Sequence, residues 1–100
     1  MKERRTRTIT FSASPEFEAQ LRRTCRRYGM GVPSYIRSIL FEGFVSPHYH
    51  HYQDIEKICG ALLIMFRVTE EQFDYVNYVC KKLGWNRSEY IRGMICGRLS

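Results

Sequence analysis

A short stretch near the start of the chain alternates small hydroxyl side chains with apolar ones. The hydroxyls occupy every second position: Thr8, Thr10 and Ser12. The positions between them are apolar: Ile9, Phe11 and Ala13. In a β-strand this alternation puts the hydroxyls on one face and the apolar groups on the other. The alternation therefore predicts a half-buried strand. Its hydroxyl face is either merely solvated, where threonine serves its β-propensity, or offers short donors and acceptors to a ligand.

Positive charge is concentrated around this strand. The 100 residues carry a formal charge of +6. Residues 1–44 hold nine Lys and Arg against four Glu, whereas residues 45–100 hold seven Lys and Arg against six Asp and Glu. Such a basic balance favours a polyanionic partner. The N-terminal arm, residues 1–7, supplies three candidate contacts to such a partner: Arg4, Arg5 and Arg7.

Two helices are expected to follow the first strand. Ser14 can cap the first of them, and Pro15 suits its first position. Gly29 and Gly31 are expected to end that helix, and the second begins near Val32.

The same order of elements is predicted further along the chain. Residues 61–68 have the composition of a strand. Thr69 and Gln72 then have the spacing of a capping box, Gly84 is expected to end a helix, and Asn86 can cap the next.

The two segments are copies of one another. Residues 9–44 align with residues 64–99 at a constant offset of 55, without a gap. Identical pairs occur along the whole alignment: Ile9 and Ile64, Phe11 and Phe66, Glu16 and Glu71, Cys25 and Cys80, Gly29 and Gly84, Tyr35 and Tyr90, Ile36 and Ile91, Arg37 and Arg92. Two copies predict a pseudo-dimer, in which one chain supplies both halves of a two-fold fold. The expected division is a basic arm with the first unit over 1–44, a linker with a candidate short helix over 45–60, and the second unit over 61–100.

The second helix of each unit carries an apolar stripe that is expected to pack the units together. These candidate core residues are Tyr35, Ile36, Ile39, Leu40 and Phe44, with Tyr90, Ile91, Met94, Ile95 and Leu99.

The segment Gly84-Trp85-Asn86-Arg87-Ser88-Glu89-Tyr90-Ile91-Arg92 resembles the turn into the second helix of ribbon-helix-helix DNA-binding proteins of the Arc and MetJ type. The resemblance covers residues 6–44 and 61–99. It implies a mainly helical fold with a short antiparallel β-ribbon that enters the major groove. The resemblance further implies that the outward hydroxyls of the first strand, Thr8, Thr10 and Ser12, read base edges and thymine methyls, and that Arg4, Arg5 and Arg7 contact the DNA backbone. The flanking arginines favour this role over a merely solvated strand face. It also implies phosphate contacts at the starts of the second helices: Gly31, Val32, Asn86, Arg87 and Ser88. The first unit departs from the pattern, because Gly31 replaces the capping residue and Pro33 replaces Ser88.

The second strand differs from the first at its outward positions. Leu63, Met65 and Arg67 stand where the first strand has hydroxyls. Arg67 can hydrogen-bond a base such as guanine. Leu63 and Met65 can meet thymine methyls, another part of the chain or a protein partner, and cover by protein is the favoured interpretation.

The expected function is that of a sequence-specific double-stranded DNA-binding transcription regulator, most simply a repressor. Self-association on DNA follows from the resemblance, and small tandem forms are similar to regulators of archaeal viruses or plasmids. An intracellular location is expected because the charged N-terminus lacks the apolar core of a secretion signal. Three alternatives remain. The first is an antitoxin-like component. Such proteins usually add a toxin-neutralising tail after the second helix, and the end of this sequence at Ser100 argues against this alternative. The others are a protein-interaction module that uses Leu63 and Met65, and a non-specific nucleic-acid coat.

The residue patterns of enzymes and cofactor sites are missing from the sequence. There is no phosphate-binding glycine loop and no HExxH, so no enzyme activity, cofactor or small-molecule substrate is predicted. His48, His50, His51 and Cys59 lack a second ligand cluster, so no metal is expected. Buried free thiols are favoured for the four cysteines, although a disulfide is left open. No apolar run reaches the roughly 18 residues of a membrane helix.

Overall fold

The fold is described by a computed structural model for residues 4–43 and 57–97. In chain order the elements are β1 (Arg7–Ala13), α1 (Pro15–Tyr28), α2 (Val32–Phe41), β2 (Leu62–Val68), α3 (Glu70–Leu83) and α4 (Arg87–Ile95). The described residues thus form four helices and one two-stranded antiparallel sheet. This agrees with the predicted combination of helices and a short antiparallel ribbon.

The sheet pairs β1 with β2 inside a single chain. The register joins Arg7 with Val68, Thr8 with Arg67, Ile9 with Phe66, Thr10 with Met65, Phe11 with Ile64, Ser12 with Leu63, and Ala13 with Leu62. Because side chains alternate between the faces of a strand, one face of this sheet is apolar and buried. The opposite face carries the hydroxyls of β1 and the three outward residues of β2.

Local signals set the ends of the first helix of each segment. Ser14 caps α1, and Gly29 ends it with a φ of 65°. Thr69 and Gln72 form the predicted capping box of α3, and Gly84 ends that helix with a φ of 70°. Both glycines adopt the left-handed conformation that a side chain would strain.

The core lies between the apolar face of the sheet and the helices. Phe11 contacts the edges or faces of Phe17 and Phe66, with ring centroids 6.4 and 6.2 Å away. The predicted core residues of α2 and α4 are buried, except that Met94 is half-buried. Each large apolar side chain buried in this way stabilises the fold by about 1.5–3 kcal/mol. Phe44 and Leu99, which were also predicted to be core residues, lie outside the described residues.

The end of the linker packs on the start of α1. Ile58 is buried, and its carbonyl accepts a hydrogen bond of 3.0 Å from the backbone N–H of Ser14. A Cβ on Gly60 would approach the Ser14 Cα to 2.6 Å, so only glycine fits this approach. Most of the candidate linker helix, predicted over residues 52–58, and the linker histidines His48, His50 and His51 lie outside the described residues.

Two further sequence expectations concern membranes and thiols. Within residues 4–43 and 57–97, every helix is too short or too polar to cross a bilayer. All four cysteines lie in these ranges, and none of them is joined in a disulfide: Cys25, Cys59, Cys80 and Cys96.

Candidate nucleic-acid interface

The outward face of the sheet, called the ribbon face below, presents three cross-strand pairs: Thr8 with Arg67, Thr10 with Met65, and Ser12 with Leu63. Thr8 and Thr10 are exposed, as predicted for base-reading side chains. Leu63 and Met65 are 65% and 64% exposed. Cover by protein was the favoured expectation for these two, but the described parts of this chain do not cover them.

One end of the ribbon face is basic. The guanidinium of Arg67 donates two hydrogen bonds to the carbonyl of Arg5, from Nε at 3.1 Å and from Nη2 at 2.9 Å. Arg37 on α2 donates from Nη1 to the carbonyl of Arg67 at 2.9 Å. The three arginines line a hollow of about 650 Å³ beside Thr8 and Met65. Burial and the charge of Arg5 lower the pKa of Arg37, although an arginine so placed stays protonated.

The other end of the ribbon face is tied to α4. The backbone N–H of Ser12 donates to the hydroxyl of Ser88 at 2.9 Å, and the two hydroxyls lie 3.4 Å apart. Arg92 donates from Nη1 to the carbonyl of Ser12 and, at 3.3 Å, to its hydroxyl. Ser12 is therefore half-buried and engaged within the protein, which makes it a poorer base reader than predicted.

Arg7 is also engaged, although it was expected to contact a DNA backbone. Its guanidinium pairs with Glu70 at 3.0 Å. It also lies 3.8 Å from the ring centroid of Phe73, and Arg87 lies 5.3 Å from the same ring. The Phe73 ring thus has two arginine neighbours, one from the start of β1 and one from the start of α4. Exposed ion pairs of this kind contribute little to stability, about 0–1 kcal/mol.

The start of α4 meets β1. Asn86 and Glu89 form a capping box, with the Asn86 side chain accepting from the Glu89 N–H at 2.8 Å and Glu89 accepting from the Asn86 N–H at 3.0 Å. Ser88 holds this first turn against Ser12 of the strand. The predicted phosphate-binding residues Asn86, Arg87 and Ser88 therefore lie at a helix start that borders the sheet.

The start of α2 meets β2 in a different way. Gly31 precedes the helix in an extended conformation and has no side chain with which to cap it. Val32 and Pro33 line a groove of about 360 Å³ together with Leu62–Met65 of β2 and with Glu18 and Arg22 of α1, which form an ion pair. An uncapped helix start presents backbone N–H groups to an anion, but Pro33 supplies none here.

Arg37 and Arg92 are functional candidates that the sequence analysis missed. Each reaches a strand of the other segment, because Arg37 holds the Arg67 carbonyl and Arg92 holds the Ser12 carbonyl. At the offset of 55, Arg37 corresponds to Arg92 and Ser12 to Arg67. The sequence signal was the recurrence of arginine at equivalent positions of the two segments, directly after two buried residues. A merely solvated position could hold any polar residue, so a repeated arginine indicates a specific contact.

Apart from Arg37, the groups with a shifted pKa lie in the core rather than on the ribbon face. Burial raises the pKa of Cys25 to about 11 and that of Tyr90 to about 12. Raised values keep both groups protonated and unreactive near neutral pH. Within residues 4–43 and 57–97, no three His, Cys, Asp or Glu side chains come together as metal ligands.

Comparisons with known protein families, with curated proteins and with solved structures find no match to this chain.

Proposed function

We propose that this chain is a sequence-specific double-stranded DNA-binding transcription regulator of the ribbon-helix-helix type, with both units in one chain. The observation that carries the proposal is the ribbon face, where Thr8, Thr10 and Arg67 are exposed on a two-stranded antiparallel sheet. The major groove of B-DNA accepts a two-stranded β-ribbon, and its base edges offer partners to hydroxyl and guanidinium groups.

The tandem arrangement is supported by a local two-fold relation. Thr10 pairs with Met65 in the sheet, and the same two residues are equivalent at the sequence offset of 55. Two antiparallel strands that cross at equivalent positions are related by a two-fold axis through that pair. The crossed hydrogen bonds of Arg37 and Arg92 obey the same relation.

Each group has a role in this proposal. Thr8 and Thr10 read base edges and thymine methyls. The starts of α2 and α4 anchor phosphates on either side of the ribbon, and the side chains of Arg4 and Arg5 add attraction to the backbone.

The biological setting extends the proposal. Occupation of a promoter by the ribbon makes repression the simplest outcome, inside the cell that holds the DNA. Self-association along DNA, and a place among regulators of archaeal viruses or plasmids, belong to the same resemblance.

Selection of bound duplexes from a random pool tests the proposal. We expect a preferred sequence of several base pairs. Replacement of both hydroxyl readers, Thr8→Ala with Thr10→Ala, should lower affinity for that sequence about tenfold or more, while affinity for unrelated DNA stays unchanged. Asn77→Ala, at an exposed position of α3, is the matched control and should leave both affinities unchanged. Recovery of no preferred sequence would reject the regulator.

A protein partner is the second candidate function, and the exposure of Leu63 and Met65 favours it. The paired change Leu63→Ser and Met65→Ser separates the two. If these residues meet thymine methyls, the change alters the selected sequence. An unchanged sequence and affinity would instead assign the two side chains to a protein partner.

A further inference from the structure

Arg67 occupies the outermost exposed position of β2, directly across from Thr8. Its side chain is held in one orientation, because Nε and Nη2 both donate hydrogen bonds to the carbonyl of Arg5. A guanidinium has five N–H donors in a fixed plane. The bonds to Arg5 use its side-on edge, and the end-on edge, with one N–H from Nη1 and one from Nη2, remains.

That remaining edge has the geometry of a guanine reader. An arginine recognises guanine by two parallel hydrogen bonds to O6 and N7 in the major groove. The backbone of Arg67 is held as well, since Arg37 donates to its carbonyl at 2.9 Å. Both ends of the side chain are thus positioned before DNA binds, which lowers the ordering cost of the contact.

Other arginines near the sheet are less suited to this task. Arg7 pairs with Glu70, and Arg92 is only 7% exposed. Within the described residues, Arg67 forms no ion pair with a carboxylate. Its charge is therefore held by a neutral carbonyl, which orients the group without neutralising it.

We infer that Arg67 reads a guanine opposite Thr8 and that the main chain of the N-terminal arm aims it, so the arm contributes to sequence specificity as well as to charge. The inference rests on the proposed function. The arm then makes two separate contributions. The side chains of Arg4 and Arg5 attract the DNA backbone, and the carbonyl of Arg5 orients the Arg67 guanidinium.

The first experiment locates the guanine. Each guanine of the selected duplex is replaced in turn by 7-deazaguanine, which lacks the N7 acceptor. We expect the full-length protein to lose affinity about tenfold at one guanine near the Thr8 end of the ribbon. The variant Arg67→Met keeps a long side chain but has no hydrogen-bond donors. It should bind the unmodified duplex and the duplex with 7-deazaguanine at that position with equal affinity. If the variant still loses affinity at the same guanine, another residue reads it and the inference fails.

The second experiment separates main chain from side chains. The paired change Arg4→Ala and Arg5→Ala keeps the carbonyl, so it should weaken binding to all DNA and reduce its salt dependence while the response to 7-deazaguanine persists. Deletion of residues 1–5 should abolish that response as well. A full-length protein with an ester in place of the amide between Arg5 and Thr6 weakens the carbonyl as an acceptor, and we expect it to reduce the response without any change in charge. Equal responses in the deletion, the ester and the wild type would overturn the role of the arm.

The outcomes distinguish this inference from the proposed function. A preferred sequence that depends on Thr8 and Thr10 but shows no guanine sensitive to Arg67 leaves the regulator standing and refutes the inference. Absence of any preferred sequence refutes both.

Discussion

Arg37 and Arg92 show how one residue type serves equivalent positions in unequal surroundings. Arg92 is buried and donates to both the carbonyl and the hydroxyl of Ser12, whereas the Arg37 bond to Arg67 is exposed. Charge-assisted hydrogen bonds are worth about 1.5–3 kcal/mol when buried, and much less at the surface. We expect Arg92→Met to lower the free energy of unfolding by about 2 kcal/mol and Arg37→Met by under about 1 kcal/mol. Urea unfolding measures both, and equal losses would contradict the assigned difference in burial.

Cys25 gives the fold a dependence on alkaline pH. Burial raises the pKa of its thiol to about 11, against the opposing charge of Arg22. Because the unfolded thiol ionises near pH 9, unfolding is favoured progressively as pH rises from about 9 to 11. The neutral thiol of Cys25 makes its full contribution to the free energy of unfolding below pH 9, and this contribution is lost as pH approaches 11. We expect the free energy of unfolding to fall over this interval, with a smaller fall in Cys25→Ala. Urea unfolding at pH 7.5 and 10.5 compares the two slopes, and identical slopes would exclude the thiol as a cause.

Asn86 and Thr69 each cap a helix with a capping box. A comparison of the two residues can therefore separate the effect of helix capping on stability from a contact with DNA. Both residues form complete capping boxes, but α4 begins beside the ribbon face through Ser88. Loss of either cap should cost about 1 kcal/mol of stability. We expect Asn86→Ala to weaken DNA binding further through a disordered phosphate site, whereas Thr69→Ala should leave the affinity of the folded protein unchanged. Thermal unfolding gives the first quantity and fluorescence anisotropy with labelled DNA the second. If the two variants bound DNA with equal affinity, the start of α4 would not contact DNA.

The helix ends and strand faces could be predicted from the sequence because their causes lie within a few residues. Ser14 and Thr69 cap the helices that follow them, and alternation alone placed Thr10 outward. The bonds that hold the interface could not be predicted in this way. Ser12 meets Arg92 across 80 positions and Arg5 meets Arg67 across 62, so only the folded chain brings them together. The same distance explains why Ser12 was expected to be free.

At the scale of the whole molecule, two strands that pair at equivalent positions carry different outward residues. The strands cross at equivalent residues, yet the outward positions of β1 and β2 share no residue type. One end of the face combines Thr8 with Arg67, and the other combines Ser12 with Leu63. Operators reflect the symmetry of the proteins that bind them. We therefore expect the preferred duplex to lack two-fold symmetry at its central base pairs.

A symmetrised variant tests this relation between protein and operator. The changes Leu63→Thr, Met65→Thr and Arg67→Ser copy the outward residues of β1 onto β2 at the offset of 55. All three positions are exposed, so the unfolding transition should be largely retained, and circular dichroism checks this. Duplex selection with the variant should then yield a palindrome at the central base pairs, built from the half-site that β1 reads in the wild type. The flanking positions should stay asymmetric, because the N-terminal arm precedes β1 alone. If wild type and variant select the same central sequence, β2 does not face the bases, and the ribbon must lie on DNA in a different orientation.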